Sequence, residues 1–461
     1  MTRDRYDIAI VGAGPAGMAA AVEARRLGLS VAVLDDQPAA GGQILRGITR
    51  PMTGHYEKWG QPLASAFQAS GAAHLPGAAV WAREGSRLLY SMNGETGSLV
   101  AGALVLATGS MERPAVVAGN TLPSVVTVGA LQSLMKGSGC VPAGRFVLAG
   151  NGPLLLLCAI QFAEAGARPA AIIQTTPSSR LLPALPKAAG LLFDPALLMK
   201  GLGLLVRTRS LGIPLHAGAR DIRIDGTAQA ETIRFRARGR TMEMPVDLVA
   251  LHDGVVPNDN LAVSLGAKTT WNCELSCYEL VMEGVTKVAG LDNVWAAGDS
   301  VAIHGGYQAM LAGRLAALDA AHTLGFVDAQ SHKTATAPLL RQRRRLLAAR
   351  RFLDAYYAPT LLPEQAPDDA TLCRCEEVSV GTVRRKIAEG AAGTRALKAA
   401  TRCGMGPCQG RQCTVSLASL LAHEIPHAQF ERPSLRVPAR PITVAELAES
   451  HLGMRHTGSD A

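Results

Sequence analysis

Residues 7–17 read Asp-Ile-Ala-Ile-Val-Gly-Ala-Gly-Pro-Ala-Gly, an apolar strand pattern that leads directly into three glycines. Met18–Leu27 follows as a plausible helix. Glycines at this spacing between a strand and a helix allow a tight turn, a close approach of the backbone to a pyrophosphate and close helix–strand packing. The phosphates would lie at the helix N-terminus, where backbone N–H groups favour anions. The residues predicted to hold them are Gly12, Gly14, Pro15, Ala16 and Gly17.

A second strand, Val31–Leu34, completes the βαβ unit and ends at Asp35. This carboxylate follows the glycines by about twenty residues, the position from which an acidic side chain binds a ribose hydroxyl. Strand, glycines, helix, strand and acid together indicate a dinucleotide-binding domain far more strongly than the glycines alone. The unit does not by itself distinguish FAD from NAD.

Two later strands separate these cofactors. Ala103–Ser110 ends in Ala-Thr-Gly-Ser, and Asn293–Asp299 ends in Gly-Asp. Together with the N-terminal unit they resemble the flavoproteins of the glutathione reductase type, over about residues 5–325. The resemblance implies FAD, with the ribityl chain on Asp299 and the adenine on the backbone of Val80. It extends the expected FAD site to Gly42, Gln43, Val80, Thr108, Gly109, Gly298 and Asp299.

One feature of the disulfide reductases in that family is missing. No cysteine precedes Cys140, so the N-terminal domain has no redox-active cysteine pair. Cys273 and Cys277 form a Cys-x3-Cys pair without neighbours that would activate a thiolate, and we interpret them as structural. Dithiol chemistry is therefore not expected.

A second Rossmann-like unit covers Arg145–Leu155, with glycines at Gly150 and Gly152 and a leucine in place of the third glycine. The next strand ends at Gln174 and supplies no acid for an NAD ribose. This domain has the position of an NAD domain with a degraded fingerprint. It binds nothing, or it holds another nucleotide, such as ATP, in a non-redox role; productive NAD(P)H binding is the less favoured alternative.

Four cysteines near the end of the chain form a second kind of site. They occur as Cys373-x-Cys375 and Cys403-x4-Cys408. A set of four thiolates selects zinc or an iron–sulfur cluster, and zinc ribbons use Cys-x2-Cys pairs instead. A [2Fe-2S] cluster is favoured, with zinc or unliganded thiols as alternatives. Gln409–Leu421 reads as a helix, which would place Cys408 at a helix N-terminus.

The segment Leu372–Leu421 resembles the bacterioferritin-associated ferredoxin-like (BFD-like) [2Fe-2S] module. The resemblance implies that the cluster ligands are Cys373, Cys375, Cys403 and Cys408. It leaves Cys413 outside the ligand set, as a buried helix residue.

The composition agrees with a globular α/β protein. The chain has 461 residues, 48% of them hydrophobic, and a mean hydropathy of +0.15. No apolar run reaches about eighteen residues, so no transmembrane helix is predicted. The N-terminus has no signal-peptide cleavage site, and we expect a cytoplasmic protein, with any membrane contact made through a complex. The net charge of +9 is ascribed to solubility and local anion binding, and nucleic acid is not an expected partner.

The predicted fold class is α/β, with two glutathione reductase-like dinucleotide-binding Rossmann domains and a small C-terminal helical [2Fe-2S] domain. Ser331–Pro338 reads as a polar linker and Leu339–Tyr357 as an arginine-rich helix, either a solvated face or a docking surface for a partner subunit or an anionic cofactor. The predicted boundaries are 1–117 with 280–330 for the FAD-binding domain, 118–279 for the second nucleotide domain, 331–370 for the linker helix, 371–425 for the [2Fe-2S] domain and 426–461 for a proline-rich tail.

This order of parts resembles the α (A) subunit of heteromeric FAD-dependent amino-acid and opine dehydrogenases, a group that includes D-hydroxyproline and L-proline dehydrogenases, opine oxidases and hydrogen cyanide synthase. The resemblance implies a β subunit, similar to D-amino-acid oxidase, that oxidises the substrate. It also implies that a small ferredoxin-like γ subunit can be present, and that an FMN can lie between subunits. The chain itself would then contain no catalytic acid or base.

We therefore expect an electron-transferring subunit that passes electrons from its β partner through FAD and a [2Fe-2S] cluster to an acceptor. If that acceptor is a quinone, the complex would contact the membrane peripherally. The main alternative is a self-contained NAD(P)H:acceptor oxidoreductase with FAD and [2Fe-2S]. A third is a redox sensor whose arginine-rich helix contacts nucleic acid.

Overall fold

The first nucleotide-binding unit is built on a parallel sheet whose glycine-bounded strands bury apolar side chains on both faces. The computed structural model describes residues 4–46, 57–425, 431–433 and 435–456. Its first elements are β1 (Arg5–Val11), α1 (Pro15–Arg26), β2 (Val31–Asp35), α2 (Glu57–Ala69), β3 (Ala73–Pro76), β4 (Ala79–Glu84), β5 (Arg87–Met92) and β6 (Glu95–Leu106). Strand β1 lies between β2 and β6 and is parallel to both. Their carboxyl ends therefore meet at one edge, where the glycine turn follows β1.

The second nucleotide-binding unit contains a five-stranded parallel sheet in the order β11-β10-β9-β15-β8. Antiparallel strands β12, β13 and β14 form a separate small sheet. Two 3₁₀ segments, Ser178–Arg180 and Leu185–Phe193, flank α5. The elements are β7 (Ser110–Glu112), β8 (Val125–Thr127), α3 (Val128–Ser138), β9 (Phe146–Asn151), α4 (Leu154–Glu164), β10 (Ala171–Gln174), α5 (Leu181–Ala184), α6 (Pro195–Ser210), β11 (Leu215–Ala217), β12 (Arg220–Asp225), β13 (Thr232–Ala237), β14 (Arg240–Pro245), β15 (Leu248–Asp253), β16 (Val255–Pro257), α7 (Asn260–Ser264), β17 (Thr269–Asn272) and β18 (Cys277–Leu280).

The chain then returns to the first sheet. The returning elements are β19 (Met282–Glu283), β20 (Lys287–Val288), β21 (Val294–Ala296), the 3₁₀ turn Gly298–Ser300 and α8 (Gly306–Thr323). Strand β21 pairs parallel with β6, so Asp299 emerges at the same edge as the β1 glycine turn. Helix α8 packs on α1 through small residues, and a Cβ at Gly313 would overlap the backbone carbonyl of Ala16.

Helix α9 (Ala329–Tyr356) is longer than predicted. The stretch Ser331–Pro338, which we interpreted as a polar linker, is helical. Asp328 caps the helix by accepting hydrogen bonds from the backbone N–H groups of Gln330 and Ser331, both at 2.9 Å. This N-terminal cap starts the helix before its arginine-rich part and offsets the interruption at Pro338.

The C-terminal module is small and mainly helical, with a core that includes Cys373, Cys403 and Cys413. Its elements are a 3₁₀ turn (Pro363–Gln365), β22 (Thr371–Cys373), β23 (Val378–Ser379), α10 (Val380–Ala388), α11 (Thr394–Thr401) and α12 (Cys413–Glu424), followed by α13 (Val444–His456) beyond the module.

One predicted boundary in this module is wrong. The helix expected over Gln409–Leu421 begins only at Cys413, because Gln409 and Gly410 have left-handed backbone angles (φ 52° and 80°) that no α-helix contains. Cys413, not Cys408, therefore lies at the helix N-terminus. The predicted α/β fold class, with two nucleotide domains and a helical C-terminal module, is confirmed. Of the predicted tail 426–461, residues 426–430, 434 and 457–461 lie outside the described part.

Among the described helices, no single one has the length and apolar character needed to cross a membrane. One sharply bent pair, Ser178–Phe193 followed by Pro195–Ser210 at 116°, passes that test jointly on length and composition.

The contact between the 3₁₀ segment Leu185–Phe193 and α9 generates a stability prediction. A Cβ at Gly190 would overlap the carbonyl oxygen of Ala348. We expect Gly190→Ala to lower the free energy of unfolding by about 1–3 kcal/mol, because rigid backbone must move. Gly201→Ala in α6 is the matched control: nothing lies within 4 Å of its added Cβ, and alanine favours helix. Thermal unfolding of both variants checks this, and equal midpoints would contradict the tight contact.

Candidate functional site

A continuous cavity runs along the carboxyl edge of the first sheet, from the β1 glycine turn to Asp299. It contains residues from both nucleotide units and from the C-terminal region. The predicted FAD residues that line it are Gly12, Gly14, Pro15, Ala16, Asp35, Gly42, Gln43, Val80, Thr108, Gly109 and Asp299. Gly17 and Gly298 lie beside it and serve packing: a Cβ at Gly17 would overlap the Gly12 carbonyl, and one at Gly298 would lie 3.0 Å from the Ala16 Cβ.

The N-terminus of α1 is prepared for an anion. Gly14 occupies the N-cap position, Pro15 begins the helix, and no side chain caps the first turn. The first free N–H groups of the helix therefore face the cavity without a competing side-chain acceptor, and the helix dipole favours negative charge there. Gly42 approaches Gly14 so closely that a Cβ on Gly42 would lie 2.9 Å from the Gly14 Cα. This arrangement fits a pyrophosphate.

Asp35 ends β2 at the cavity and is 6% exposed. Its carboxylate accepts hydrogen bonds from the backbone N–H groups of Ala13 and Gln37, the latter at 2.7 Å. Burial raises the pKa of the Asp35 carboxyl, and these two amides oppose the rise. Each oxygen keeps a further lone pair, so the side chain can still accept a hydrogen bond from a ribose hydroxyl.

Asp299 and Thr108 hold the far end of the cavity. One Asp299 oxygen accepts hydrogen bonds from the backbone N–H groups of His304 (2.8 Å) and Gly305 (3.0 Å), which fixes the loop that leads into α8. The Thr108 hydroxyl donates to the Asn258 carbonyl (2.6 Å), and Asn258 Nδ2 donates to the Thr108 carbonyl (3.2 Å). The two nucleotide units are thus joined at this turn. Pyrophosphate cradle, ribose acceptor and Asp299 follow each other along one cavity, as FAD requires.

Several cavity residues were not predicted from the sequence. Asn258 and Asn260 come from the second unit, and Arg411 and Arg440 come from the C-terminal region. Their separation in sequence from the glycine turn is large, and no local pattern marks them.

The corresponding edge of the second sheet is covered by the chain itself. The carboxyl ends of β9, β10 and β15 lead to Asn151, Thr175 and Asp253, where an open parallel sheet binds its ligand. Residues 357–361, which leave α9, lie across these three ends. We call these five residues the crossing segment.

Side chains of the second unit hold the crossing segment from all three strands. Asn151 Nδ2 donates to the carbonyls of Tyr357 (2.9 Å) and Ala358 (2.7 Å). Asp253 accepts hydrogen bonds from the backbone N–H groups of Thr360 (2.9 Å) and Leu361 (3.0 Å).

Two further side chains complete this set of contacts. The hydroxyls of Thr175 and Thr360 are 2.6 Å apart, and Arg180 donates to the carbonyls of Ala358 and Pro359. The polar side chains at these strand ends, which would otherwise face a bound nicotinamide dinucleotide, therefore form hydrogen bonds with the crossing segment.

This arrangement affects the predicted nucleotide residues Gly150 and Gly152. A Cβ at Gly150 would overlap the His252 carbonyl, so this glycine is needed for packing of β9 on β15. Gly152 lines a cavity together with Asp253, Tyr357 and Pro359, and the same cavity reaches Asp299 and Gly305. Gly150 thus serves packing, whereas Gly152 borders open space. A separate cavity beyond the crossing segment contains Arg180 and Arg220.

The predicted cluster ligands converge in the C-terminal module. Cys373, Cys403 and Cys413 are buried, and their sulfur atoms all lie within 4.8 Å of one another. Cys375 and Cys408 are hydrogen-bonded to each other on the more exposed side. The loop from Cys403 to Cys408 packs tightly against Cys375, because a Cβ at Gly406 would overlap the Cβ of Cys375.

The electrostatics of these thiols fit a metal cluster. Hydrogen bonds from Cys403 and Cys413 lower the pKa of the Cys373 thiol, while the same contacts with Cys373 raise the pKa of both partners. Three sulfurs this close cannot all be thiolates unless a cation lies among them. Iron supplies that charge, and sulfur is its preferred ligand in such clusters. The donor set therefore fits [2Fe-2S].

Cys413 was missed as a candidate ligand. Its sulfur lies within 4.8 Å of those of Cys373 and Cys403, and its spacing Cys408-x4-Cys413 repeats Cys403-x4-Cys408. The repeated spacing was the available signal. Because a [2Fe-2S] cluster takes four cysteine ligands, one of the five cysteines of the module is not a ligand.

Three other residues near the two sites, Cys277, His304 and Arg402, have defined surroundings. Cys277 is buried in a β hairpin, where burial raises its pKa to about 12, so a reactive thiolate is disfavoured. Burial, then the charges of Arg343 and Arg350, lower the pKa of His304 to about 4, which leaves this loop histidine neutral at pH 7. Arg402 beside Cys403 is paired with Glu376 at 2.7 Å.

The position of Cys413 at the start of α12 generates a prediction about the ligand set. The helix dipole stabilises a thiolate there. We expect Cys373→Ser, Cys375→Ser, Cys408→Ser and Cys413→Ser to lose most of the cluster, and Cys403→Ser to retain it. Iron analysis and the visible spectrum of anaerobically prepared protein provide the measurement, with exposed Cys140→Ser as the control. Retention in Cys413→Ser with loss in Cys403→Ser would restore the set predicted from the sequence.

Comparisons with known proteins agree with both sites. Residues 6–323 match the family described as pyridine nucleotide-disulphide oxidoreductase, and residues 371–423 match the BFD-like [2Fe-2S] binding domain. The A subunit of opine oxidase from Agrobacterium tumefaciens (strain Ach5) is 40% identical over 467 residues, covering 96% of this chain and 92% of that protein. Hydrogen cyanide synthase subunit HcnB of Pseudomonas aeruginosa is 30% identical, covering 88% of this chain and 90% of that protein.

Among solved structures, that of L-proline dehydrogenase from P. horikoshii has a TM-score of 0.69 at 20% identity, covering 96% of this chain and 79% of that chain, and supports the fold. The resemblance predicted from the motifs is confirmed. The chain belongs to the pyridine nucleotide-disulphide oxidoreductase family and, within it, groups with the opine oxidase A subunits.

Proposed function

We propose that this chain is the electron-transferring subunit of an opine or amino-acid (proline or hydroxyproline) dehydrogenase, and that it passes electrons from a β subunit through FAD and the [2Fe-2S] cluster to an acceptor. The observation that carries the proposal is the combination of two sites in one chain: an open dinucleotide cavity, and a C-terminal module in which the sulfur atoms of Cys373, Cys403 and Cys413 converge while Cys375 and Cys408 pair with each other. The flavin exchanges two electrons and the cluster one. The chain's own residues bind these groups and exclude other donors.

The crossing segment argues against the alternative of a self-contained NAD(P)H oxidoreductase. Nicotinamide would have to enter at the carboxyl ends of β9, β10 and β15. There, Asn151, Thr175 and Asp253 already bind residues 357–361. The strand β10 ends at Gln174 and provides no acid for the ribose. Electrons must therefore come from a protein partner.

This proposal predicts the response to electron donors. NADH and NADPH should leave the flavin of the purified chain oxidised, because the crossing segment already binds the polar groups at the strand ends where the dinucleotide would bind. Substrate should reduce it only once the β subunit is present. Anaerobic absorbance near the flavin maximum follows both reactions, with dithionite as the positive control. Rapid bleaching by NADH, or turnover of an opine or amino acid by the single chain, would contradict the assignment.

An apolar surface on the second nucleotide unit supports docking of the partner. It consists of exposed side chains on α5, the following 3₁₀ segment and α6. We call it the Leu-rich surface; its members are Leu181, Leu182, Leu185, Leu192, Phe193, Leu198, Met199, Leu202 and Val206, with exposures from 45% to 83%. Exposed apolar patches of this kind mark interaction sites.

Charge and position suggest what the Leu-rich surface contacts. Residues 178–210 contain five basic residues and one acid, Asp194, which caps α6. The exposed arginines of α9, including Arg344 and Arg351, lie beside the surface. At its edge lies a cavity that reaches Ile303 and His304 in the loop after Asp299, and its lining includes both cations (Lys187, Arg351) and carboxylates (Glu274, Glu279, Asp354). A partner with an apolar centre and a rim of mixed charge would therefore dock next to the flavin end of the cavity.

Substitutions on this surface test the docking site. Leu192 and Phe193 are 83% and 61% exposed, so Leu192→Asp and Phe193→Asp should fold normally. We expect each to weaken β-subunit binding at least tenfold, because a carboxylate would be buried in an apolar interface. Copurification and calorimetric titration measure the effect. Phe326→Asp, at a 46% exposed position outside the surface, is the control. Unchanged β binding together with lost sedimentation on anionic vesicles would assign the surface to a membrane.

Additional nucleotides belong to the same proposal. We infer that a nucleotide such as ATP binds the outer cavity of the second unit, where Arg220 can contact phosphates, since the crossing segment leaves that region open. An FMN between subunits would lie against the partner at the Leu-rich surface. We place the complex in the cytoplasm, with peripheral membrane contact if its acceptor is a quinone.

A further inference from the structure

Two arginines from the C-terminal third of the chain reach the dinucleotide cavity. Arg411 lies in the loop between Cys408 and Cys413, and Arg440 lies in the tail. Both line the cavity together with Pro15 and Asp36. One of these side chains therefore belongs to the cluster-binding loop and also contacts the site of the other cofactor.

The tail is held between the cysteine loop and the first sheet. Arg411 Nη2 donates to the Ala439 carbonyl (2.8 Å), and Gln409 Nε2 donates to the Pro438 carbonyl (3.0 Å). The backbone N–H of Ala439 donates to the Trp81 carbonyl in β4 (2.8 Å). Since Val80 of the same strand lines the cavity, these bonds place the tail over the predicted adenine position.

A second anchor fixes the tail further upstream. Arg432 forms a buried ion pair with Asp259, and the two side chains are only 5% and 0% exposed. The same guanidinium donates to Asn260 Oδ1 at 2.8 Å, and Asn260 lines the cavity. A buried pair of this kind is costly to break, so the tail is firmly attached on this side.

The two cavity arginines are available for an anionic ligand. Within the described part of the chain, neither Arg411 nor Arg440 has a carboxylate at ion-pair distance. They face the same cavity as the uncapped N-terminus of α1. Guanidinium groups and helix N–H groups that converge on one space form a phosphate site.

We propose that Arg411 and Arg440 bind the phosphates of the dinucleotide, so that the iron–sulfur module and the tail close the FAD site. The proposal rests on the assignment of FAD to this cavity. It makes Arg411 a positioning residue shared by both cofactor sites. Bound FAD and the docked module then stabilise each other.

Measurements of ligand affinity test the proposal, and they need neither the β subunit nor its substrate. Apoprotein is titrated with FAD, and separately with ADP and adenosine, for wild type, Arg411→Gln and Arg440→Gln. We expect each substitution to raise the Kd for FAD and ADP at least tenfold, and to leave adenosine binding within twofold. Arg385→Gln is the control, because this arginine on α10 is exposed and outside the cavity, and among the described residues its guanidinium donates only to Thr382 of the same helix. Arg411→Lys should recover part of the affinity, since it keeps the charge.

The cluster provides a second readout. Its EPR signal and iron content establish that each variant keeps a folded module, and Arg440, far from the cysteines in sequence, gives a test independent of cluster loading. FAD and ADP affinities equal to those of Arg385→Gln would overturn the proposal. Equal losses for adenosine and ADP would also overturn it, because the effect would not depend on phosphate. A wild-type chain that binds no FAD would overturn the cofactor assignment itself, whereas failure of turnover with the β subunit would not affect these titrations.

Discussion

The carboxylate of Asp253 binds the backbone of Thr360 and Leu361 at the carboxyl end of β15, and the position of the iron–sulfur module depends on this contact. Asp253 is 1% exposed and its own backbone carbonyl accepts a hydrogen bond from Arg113, so the anchor is rigid. Burial raises the pKa of this carboxyl, while Arg113 and the amides of residues 360 and 361 oppose the rise. A buried carboxylate without these donors would strongly destabilise the fold. Asp253 therefore needs the N–H groups of the crossing segment, and the crossing segment needs Asp253 to hold it in place.

Two structural features follow from this one anchor. The crossing segment binds the polar groups at the carboxyl ends of β9, β10 and β15, where an open parallel sheet would bind a dinucleotide. It also leads the chain from α9 into the iron–sulfur module, and the tail that follows the module is attached to Asp259 and to β4.

The sequence was informative where the chemistry is local. Gly12 to Gly17 and Asp35 lie within one βαβ unit, and their spacing alone predicts the phosphate turn and the acid at the end of β2. Thr108 and Asp299 were identified from short strand-end patterns. The cysteine site was only partly predicted: Cys413 was left outside the ligand set as a buried helix residue, and the left-handed residues 409 and 410, after which the helix begins at Cys413, were not anticipated.

Contacts between residues that are far apart in the chain could not be predicted from sequence patterns. The bond between Asn151 and Ala358 joins residues 207 positions apart, and the pair Arg432–Asp259 joins residues 173 apart. Neither has a periodicity or motif. The polar stretch 331–338 was misjudged for a similar reason: its composition suits a linker, and it is helical because Asp328 caps it and α8 packs beside it.

The bond between Ala439 and Trp81 bears on how a ligand would leave the first cavity. Ala439 and Arg440 line that cavity, so the tail covers one side of it. A ligand bound there would exchange more slowly than one in an open cradle, because the tail would first have to detach from β4.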